Sequence, residues 1–381
     1  MAAEEFAAEM IEARAALRIF GSSHRYYQGP DALDHLPGIC EGIAHTPVLI
    51  VDSDVLEMTR PRLEAMFAGR PHGLLAFRGE VTTSSMEDLS ADARASGAGV
   101  IVGMGGGKAL DAAKGCAVRT GLRFVSVPTV ASNDSPVATG LAVYDDAHRL
   151  VALESLGRNP EAVVVDTRLI ARAPRKFLLA GIGDAIAKKF EGEASAAVGG
   201  LNAHYARQTR AAGYIADGCY RTIREHAVEA LTAAGTGQPN EAFEAIVEAN
   251  ILLAGLAFEN MGLSTAHGVP RALVRIPAVG GAPHGFHVAY GVLVQLAAEG
   301  RDAAFLGDLM AFYAAIGLPR SLTAMGLDAV EPDLLREIAV NAAVAPDGAY
   351  LVIPYTTDEL VTAMHRIEAL HARSVADGQH A

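Results

Sequence analysis

The stretch Gly99–Tyr144 decides the fold: it begins GVIVGMGGGKALDAAKG, continues through FVSVPTVASNDSP and ends LAVY. Its apolar run Val100–Val102 leads through the glycines Gly105–Gly107 into Lys108 and a segment with helical periodicity. A strand that passes through a glycine turn into a helix can bind phosphate, because bare backbone N–H groups and the helix dipole favour an anion. The spacing matches neither standard phosphate fingerprint, so a plain tight turn stays open as an alternative.

A second loop of small and polar residues follows the next apolar segment. Phe124–Val127 ends at Pro128-Thr129, and mostly small residues lead from there to Asp134. The carboxyl ends of parallel strands meet at one edge of an open α/β sheet, where ligands bind. Two consecutive loops of this kind therefore predict the ligand crevice of such a sheet.

Composition limits the class of protein. The 381 residues are 51% hydrophobic and 20% charged, with a net charge of -13, and this length favours two domains over one. The acidic balance argues against nucleic acid, since phosphate neutralisation requires clustered Lys and Arg. Cysteines are few and scattered, and we find neither a signal peptide nor an apolar run that could span a bilayer. We predict a cytoplasmic protein that binds neither nucleic acid nor membranes.

An earlier strand carries a further candidate. The apolar run Pro47–Val51 predicts a buried parallel strand, and it ends at Asp52. An acidic residue in this place commonly accepts hydrogen bonds from an adenosine ribose and disfavours a 2′-phosphate. The alternative is that Asp52 caps a helix that begins near Val55.

The two parts of the chain differ in pattern. Strand signals continue through Gly73–Phe77 and Ala162–Val165 and almost vanish after Arg168. We therefore predict an α/β domain over residues 1–168 and a helical domain over residues 169–381. The first domain begins with a helical extension. Ala249–Phe258 predicts a central, fully buried helix. The other predicted helices lie near 181–196, 201–220, 224–235, 240–263, 285–299, 302–316, 332–345 and 357–373.

Three polar residues of the second part lie among small and apolar neighbours. Asp184 lies in GIGDAI at a predicted helix start, His267 lies in STAHG and His284 lies in PHG. One carboxylate and two imidazoles form a half-site for Zn²⁺ that leaves positions open for substrate, and the same set suits Fe²⁺. The residues alone leave other roles open: Asp184 as a helix N-cap, and either histidine as a core residue.

Five stretches taken together resemble one family. GGGKALDAAK, VPTVASNDSP, GIGDAIAKKFE, GLSTAHG and HGFHVAYGVLVQL occur in the order typical of the glycerol dehydrogenase branch of the iron/zinc-containing (group III) alcohol dehydrogenases. The resemblance covers nearly the whole chain. It implies a Rossmann-like N-terminal domain and an all-α C-terminal domain, in the dehydroquinate synthase-like architecture. It also implies NAD bound in the cleft between the two domains.

The resemblance also implies the roles of individual residues. Asp184, His267 and His284 would be the metal ligands, and Asp134 would hydrogen-bond a polyol substrate. Gly105–Lys108 would hold the pyrophosphate. The implied cofactor-binding residues are, in chain order, Asp52, Gly105, Gly106, Gly107, Lys108, Thr129, Ser132, Ala138, Gly140 and Tyr144.

The chain departs from the resembled pattern at several positions. Phe286 and His287 follow the final His-Gly, where Glu and Lys are usual, and Ala138 and Gly140 replace Ser and Leu near the nicotinamide. These changes put glycerol itself in doubt as the substrate. Iron-dependent relatives carry a histidine one turn after the aspartate ligand, where this chain has Lys188, which favours zinc over iron.

We therefore expect zinc-dependent, NAD-linked oxidation of a polyol secondary alcohol to the ketone, or the reverse reduction. Glycerol, a related diol or a cyclitol would be the substrate. Alternatives are a glycerol-1-phosphate dehydrogenase, with Arg271 and His287 as nearby phosphate-binding candidates, a dehydroquinate-synthase-like lyase and a catalytically silent binding protein. The resemblance further implies a homo-oligomer, often an octamer.

Overall fold

The computed structural model describes residues 11–146, 149–344 and 350–378, which pack into two compact units. The division of the sequence into domains at residue 168 stays a prediction. We call the first unit the sheet unit; it contains Ser22–Leu178 and Thr232–Gly255. We call the second the helical unit; its segments, as far as they are described, are Met1–Gly21, Leu179–Leu231 and Leu256–Ala381.

Within the described residues, a sheet of six parallel strands forms the centre of the sheet unit, with the order β1-β8-β5-β4-β2-β3. A separate antiparallel hairpin pairs β6 with β7. The strands are β1 (Tyr26–Gly29), β2 (Pro47–Asp52), β3 (Gly73–Phe77), β4 (Val100–Gly105), β5 (Arg123–Pro128), β6 (Gly140–Tyr144), β7 (Leu150–Ser155) and β8 (Ala162–Asp166).

The central strands are apolar on both faces because helices cover both faces. In β2, Val48 and Ile50 belong to one hydrophobic cluster, while Leu49 and Val51 belong to the other. All four side chains are fully buried. A continuous apolar run is what a parallel strand covered on both faces requires, so the predicted strand at Pro47–Val51 is confirmed.

The strand order reverses between β2 and β4. The chain passes from β2 outward to β3, returns to the other side of β2 as β4, and then continues outward through β5 to β8. In open α/β sheets, ligands bind at the carboxyl ends of the strands where the order reverses. The reversal brings Asp52 at the end of β2 beside Gly105 at the end of β4.

Helices connect these strands, and one further helical run completes the unit. The two chain segments of this unit, Ser22–Leu178 and Thr232–Gly255, each continue along the chain into the helical unit. The elements are a 3₁₀ turn (Ala32–His35), α1 (Leu36–Glu41), α2 (Ser53–Met66), α3 (Thr83–Ala95), α4 (Gly107–Thr120), α5 (Thr167–Ile170), α8 (Glu241–Glu248) and a π-helical segment (Ala249–Leu253).

The helical unit consists of helices and irregular connections in its described part. Three of its helices, α6, α7 and α9, share residues with the sheet unit. The helices are α6 (Arg175–Ala197), α7 (Arg210–Ala233), α9 (Ala254–Met261), α10 (Thr265–Leu273), α11 (Pro277–Gly280), α12 (His284–Ala298), α13 (Ala303–Ile316), a 3₁₀ turn (Thr323–Met325), α14 (Pro332–Ala343) and α15 (Thr357–Gly378).

The helix predicted near 201–220 begins only at Arg210. The residues before it form turns, because the side-chain oxygen of Asn202 accepts hydrogen bonds from the backbone N–H groups of His204 and Ala206. Tyr205 has a φ of 57°, which a helix cannot accommodate. Local side-chain bonds of this kind compete with helix formation.

The expectation for Ala249–Phe258 is correct in part. The segment is helical, but it begins as a π-helix, and its leucines and Phe258 are only half-buried. It also contains Asn250, whose buried side-chain amide donates to the carbonyl oxygens of Ala131 and Leu178. A polar residue with two backbone partners therefore interrupts the apolar run.

The predicted N-terminal extension is described only from residue 11. Residues 11–15 are helical, and the backbone of Arg18 bridges to that of Arg207. The Asn202 amide donates to the Ile19 carbonyl oxygen, which ties this segment into the helical unit. Among the described helices, no helix has the length and apolarity needed to cross a bilayer.

Candidate metal centre and dinucleotide site

Three residues that are remote in sequence meet in the helical unit. Asp184, His267 and His284 each offer one ligand atom, and these atoms lie within 4.8 Å of one another. Oδ1 of Asp184 is 3.1 Å from Nε2 of His267 and 3.9 Å from Nε2 of His284. The Asp184 side chain is 2% exposed and that of His284 is 51% exposed, so the cluster opens on the His284 side.

Asp184 is not a helix cap. Helix α6 begins at Arg175, so Asp184 lies well inside the helix rather than at its start. Both the predicted helix start and the N-cap alternative are therefore wrong. The local run of glycines and small residues suggested a helix end, but it serves close packing instead.

Helices α6 and α12 touch through glycines beside two of the ligands. A Cβ added to Gly183 would overlap the carbonyl oxygen of Gly285, and one added to Gly285 would overlap that of Ala180. Gly183 precedes Asp184, and Gly285 follows His284. Backbone contact between the helices therefore fixes the separation of these two ligands.

The third ligand lies beside a similar crossing. A Cβ on Gly291 of α12 would overlap the carbonyl oxygen of Ala266 of α10. Ala266 immediately precedes His267. The three helices that carry the ligands thus pack against one another at positions without side chains, which brings the imidazoles and the carboxylate together.

Glu191 orients His267. One oxygen of its carboxylate accepts hydrogen bonds from the backbone N–H groups of Ser264, at 2.9 Å, and His267, at 2.8 Å. The other oxygen lies 2.6 Å from Nδ1 of His267. A carboxylate on one ring nitrogen fixes the tautomer and directs the other nitrogen, Nε2, toward a metal.

Lys188 also enters the cluster. Its Nζ lies 3.2 Å from Oδ1 of Asp184 and 3.2 Å from Nε2 of His267, and its side chain is 1% exposed. Sequence reasoning did not place Glu191 or Lys188 in the site. The available signal was their spacing of four and seven residues after Asp184, which puts the three residues on one face of a helix.

These charges shift the pKa values of the cluster. Burial alone would raise the pKa of Asp184, but the Lys188 ammonium group and His267 hold it well below its usual range. Burial opposes protonation of His267, yet Glu191 and Asp184 raise its pKa to about 9. Desolvation lowers the pKa of His284, and the neighbouring His267 and Lys188 oppose a further positive charge there.

The donor set fits a divalent cation. A buried carboxylate and two imidazoles supply three ligand atoms, and the exposed side of His284 leaves room for substrate. Catalytic zinc sites are commonly built from three protein ligands and one open position. The same ligands suit iron, so the donors alone do not name the metal.

In the sheet unit, glycine lets the strand-end loops approach closely. A Cβ on Gly105 would lie 2.7 Å from the Cβ of Ala109 and 2.9 Å from that of Asp52, which is too close for any side chain. The Gly105 carbonyl oxygen also accepts a hydrogen bond of 3.0 Å from the backbone of Thr129. This bond links the two predicted ligand loops at the end of the sheet.

Helix α4 starts at the glycine loop. Gly106 is its N-cap residue and carries no side chain, while a Cβ on Gly107 would lie 3.0 Å from Nδ2 of Asn133. Lys108 points elsewhere: its Nζ lies 2.8 Å from a carboxylate oxygen of Glu80. The loop has the bare backbone that a pyrophosphate needs. Lys108 would have to leave Glu80 before its side chain could contact a pyrophosphate.

Asp52 does cap a helix. Its Oδ1 accepts hydrogen bonds from the backbone N–H groups of Asp54 and Val55 at the start of α2. The alternative role considered from the sequence is therefore present. It does not exclude a ribose contact, because a carboxylate has two oxygens and Asp52 is only half-buried.

Helix α4 fixes the loop that carries Asp134. Nζ of Lys114, which is fully buried, donates to the carbonyl oxygens of Ser135 and Gly140 at 2.7 and 2.8 Å. Asp111 accepts from the hydroxyl group of Ser135 and from the backbone N–H of Ala142. The helix that begins at the glycine loop thus holds both ends of the segment that follows Asp134.

The other predicted cofactor residues lie on both sides of Asp134 in the chain, and their roles stay predictions. Thr129 and Ala138 are buried, while Ser132, Gly140 and Tyr144 are half-buried. Burial, together with the charges of Asp111 and Glu80, raises the pKa of Tyr144.

The phosphate-binding candidates of one alternative are engaged elsewhere. His287 is buried, and its Nε2 lies 2.8 Å from the Val279 carbonyl oxygen. The guanidinium group of Arg271 donates to the Val344 carbonyl oxygen. The expectation that these residues could hold a substrate phosphate is therefore not supported by their contacts.

Comparison with known proteins identifies relatives over most of the chain. A family model described as iron-containing alcohol dehydrogenase matches residues 23–167. The chain is 34% identical to glycolaldehyde reductase of Halobacterium salinarum over 352 residues, 91% of this chain and 96% of that protein. It is 35% identical to glycerol dehydrogenase of Pseudomonas putida over 331 residues, 86% of this chain and 90% of the relative.

Solved structures agree with these relatives. A probable glycerol dehydrogenase from Sinorhizobium meliloti 1021 superposes with a TM-score of 0.84 at 34% identity, covering 93% of this chain and 98% of the other. Glycerol dehydrogenase from Schizosaccharomyces pombe gives a TM-score of 0.88 at 27% identity, covering 94% and 92%. The predicted fold class, a parallel α/β part with a helical C-terminal part, is confirmed. The chain belongs to the iron-containing alcohol dehydrogenase family, in its glycerol dehydrogenase branch.

Proposed function

We propose that the protein is a zinc-dependent, NAD-linked dehydrogenase that interconverts a secondary alcohol of a small polyol and the corresponding ketone. The observation that carries this proposal is the convergence of Asp184, His267 and His284 within 4.8 Å. Relatives that share a third of the sequence are glycerol dehydrogenases, which supports the same reaction class.

Asp184, His267 and His284 would hold the metal, and the open side at His284 would admit the substrate oxygen. When bound, the cation supplies Lewis-acid polarisation of that oxygen, and NAD supplies the hydride acceptor. Glu191 would leave Nε2 of His267 available to the cation, since its carboxylate holds the opposite ring nitrogen. Asp134 is proposed to hydrogen-bond a further hydroxyl group of the polyol.

The glycine loop would hold the dinucleotide. Helix α4 begins at Gly107 with Gly106 as its N-cap, and a helix start without side chains leaves backbone N–H groups available to a pyrophosphate. Asp52 is proposed to accept a hydrogen bond from the adenosine ribose, which would favour NAD over NADP. Thr129, Ser132 and Tyr144 are proposed to line the remainder of the cofactor site.

We propose zinc rather than iron because the position four residues after Asp184 is Lys188 and not a fourth ligand. The family resemblance implies a histidine at that position in the iron-dependent members, which this chain resembles less. Nζ of Lys188 donates to Oδ1 of Asp184 and lies 3.2 Å from Nε2 of His267. A three-ligand site with open positions is typical of catalytic zinc.

Glycerol and glycolaldehyde are the two substrate types that relatives suggest. The glycerol dehydrogenases support a vicinal diol, and the Halobacterium salinarum relative, a glycolaldehyde reductase, supports a small hydroxyaldehyde. Ala138 and Gly140 have smaller side chains than the Ser and Leu that the family resemblance implies beside the nicotinamide. We favour the polyol as the primary substrate.

The experiment combines metal analysis with a substrate panel. Purified protein is incubated with NAD and glycerol, other diols, cyclitols or glycerol 1-phosphate, and in the reverse direction with NADH and dihydroxyacetone or glycolaldehyde, while NADH absorbance is followed. We expect stoichiometric zinc and turnover of a polyol–ketone pair. Turnover of glycerol 1-phosphate alone, or full activity after removal of all metal, would overturn the proposal.

We also propose that the enzyme acts in the cytoplasm as a homo-oligomer. The three cysteines Cys40, Cys116 and Cys219 are free and buried, as suits a reducing compartment. The oligomer is proposed from the family resemblance, with an octamer as the expected form. Light scattering of the purified protein would measure it directly.

A further inference from the structure

Lys188 introduces a positive charge at the place where the metal is expected. Its Nζ lies 3.2 Å from both Oδ1 of Asp184 and Nε2 of His267, and the side chain is 1% exposed. These two atoms are the ones that a divalent cation would bind. The lysine therefore contacts the metal-binding atoms themselves.

An ammonium group and a metal ion make competing demands on these atoms. A zinc ion binds carboxylate oxygen and imidazole nitrogen at about 2.0–2.2 Å through their lone pairs. The ammonium group lies against the same two atoms, where it donates to Asp184, and it repels a second cation at short range. In the metal-free protein it also balances the buried charge of Asp184, which would otherwise be costly.

We propose that Lys188 is an internal competitor of the metal: its ammonium group holds Asp184 and His267 in the metal-free protein and must leave them when the cation binds. This inference rests on the proposed metal-dependent function. It implies that the site binds zinc more weakly, and exchanges it more readily, than the same three ligands without the lysine.

A neighbouring ring offers the displaced ammonium group a favourable position. Nζ of Lys188 already lies 5.6 Å from the centroid of the Phe258 ring, within the range of a cation–π interaction. A small rotation of the side chain away from Asp184 and His267 can therefore keep the charge stabilised. Lys188 need not reach solvent to make room for the metal.

The adjacent residue provides a matched control. Lys189 faces the other way, where its Nζ pairs with Glu193 at 2.8 Å and Asp217 at 2.7 Å. Its side chain is 21% exposed. Replacing Lys189 removes the same charge from the same helix without touching the cluster, so it controls for net charge and for helix propensity.

The test measures zinc affinity of the full-length protein after metal removal, by competition with a chromophoric chelator. Lys188→Met should bind zinc at least about tenfold tighter than the wild type, a change on the scale of outer-shell effects on metal affinity. Lys188→Arg, which keeps the charge, should not gain affinity. Lys189→Met should match the wild type.

Thermal unfolding gives a readout that does not depend on activity. Without metal, Lys188→Met should melt below the wild type, because Asp184 loses its partner. Saturating zinc should raise its midpoint by more than it raises that of the wild type. Should the metal-free variant fail to fold, it is purified with zinc, and slower zinc release to excess chelator is the expected result.

The outcomes separate the inference from the proposed function. If the wild type binds zinc and Lys188→Met binds it no more tightly than the wild type, the inference alone is overturned. An equal gain in Lys189→Met overturns it as well, since the effect would then be one of net charge. Failure of the wild type and every variant to bind zinc or iron overturns the proposed function, and this inference with it.

Discussion

The two candidate sites are built in opposite ways. The glycine loop at Gly105–Gly107 is one continuous stretch, and it offers mainly backbone groups at the end of a strand. The metal cluster consists of side chains from three separate helices, and charged neighbours hold it in place. The loop is therefore a property of local sequence, while the cluster exists only once the helices have packed. Damage to each should have different consequences, which substitutions at four positions test.

The largest effect should follow loss of a ligand. His267→Ala removes one of three donors and should abolish metal binding. The value of kcat/KM should fall by roughly a thousandfold or more, because a metal supplies several kcal/mol of charge stabilisation. Metal analysis and NADH absorbance measure both. NADH binding, followed by fluorescence, should persist. A variant that kept full zinc occupancy would disprove the ligand assignment.

A change at the helix crossing should disrupt the cluster without touching a ligand. Gly285→Ala places a methyl group against the carbonyl oxygen of Ala180, so α6 and α12 must separate. We expect a loss of about 3 kcal/mol in unfolding free energy and reduced metal content. Gly281→Ala is the matched control, because its Cβ meets nothing within 4 Å. Similar melting of the two variants would show that close packing is unimportant here.

The corresponding change in the glycine loop should affect the cofactor and spare the metal. Gly105→Ala brings a methyl group to 2.7 Å from the Cβ of Ala109, so the loop must shift. The dissociation constant for NADH should rise about tenfold, an effect of about 1.4 kcal/mol. Zinc content should stay at the wild-type level. Gly38→Ala, with open space around it, should leave both unchanged. Loss of zinc in Gly105→Ala would contradict the separation of the two sites.

The smallest effect concerns Asp52, where two roles can be separated. Asp52→Asn keeps an N-cap oxygen but removes the charge, whereas Asp52→Ala removes both and should cost about 1 kcal/mol in stability. If Asp52 contacts the ribose, the preference for NAD over NADP should fall several-fold in both variants. Unchanged discrimination in both, measured as the ratio of kcat/KM values, would leave capping as its role.

The sequence predicts the local parts of this molecule and not the parts that depend on packing. Apolar runs such as Pro47–Val51 predict the strands well, because burial on both faces requires continuous apolar residues. The turn at Asn202 was missed because its side chain bonds to the backbone of His204 and Ala206. Asp184 was placed at a helix start because glycine and small residues are typical of helix ends as well as of helix crossings.

The site shows the same limit. The proposed metal ligands could be selected from the sequence only through a family resemblance, since they lie on separate helices. Glu191 is not predicted from the sequence, and Lys188 enters there only as the residue that stands in place of a histidine, although both lie on the Asp184 face of α6. A buried charged residue can be recognised as functional only when its partner is known. His267 contacts both Lys188 and Glu191.

The crossing of α6 and α12 also bears on how this centre can be redesigned. Gly183 and Gly285 leave main-chain atoms in contact, so the distance between Asp184 and His284 cannot be adjusted by choosing other side chains at the crossing. For the proposed metal site, a change in selectivity, by evolution or by engineering, must therefore replace one of the three proposed ligands or a charged neighbour while the spacing of the backbone stays constant.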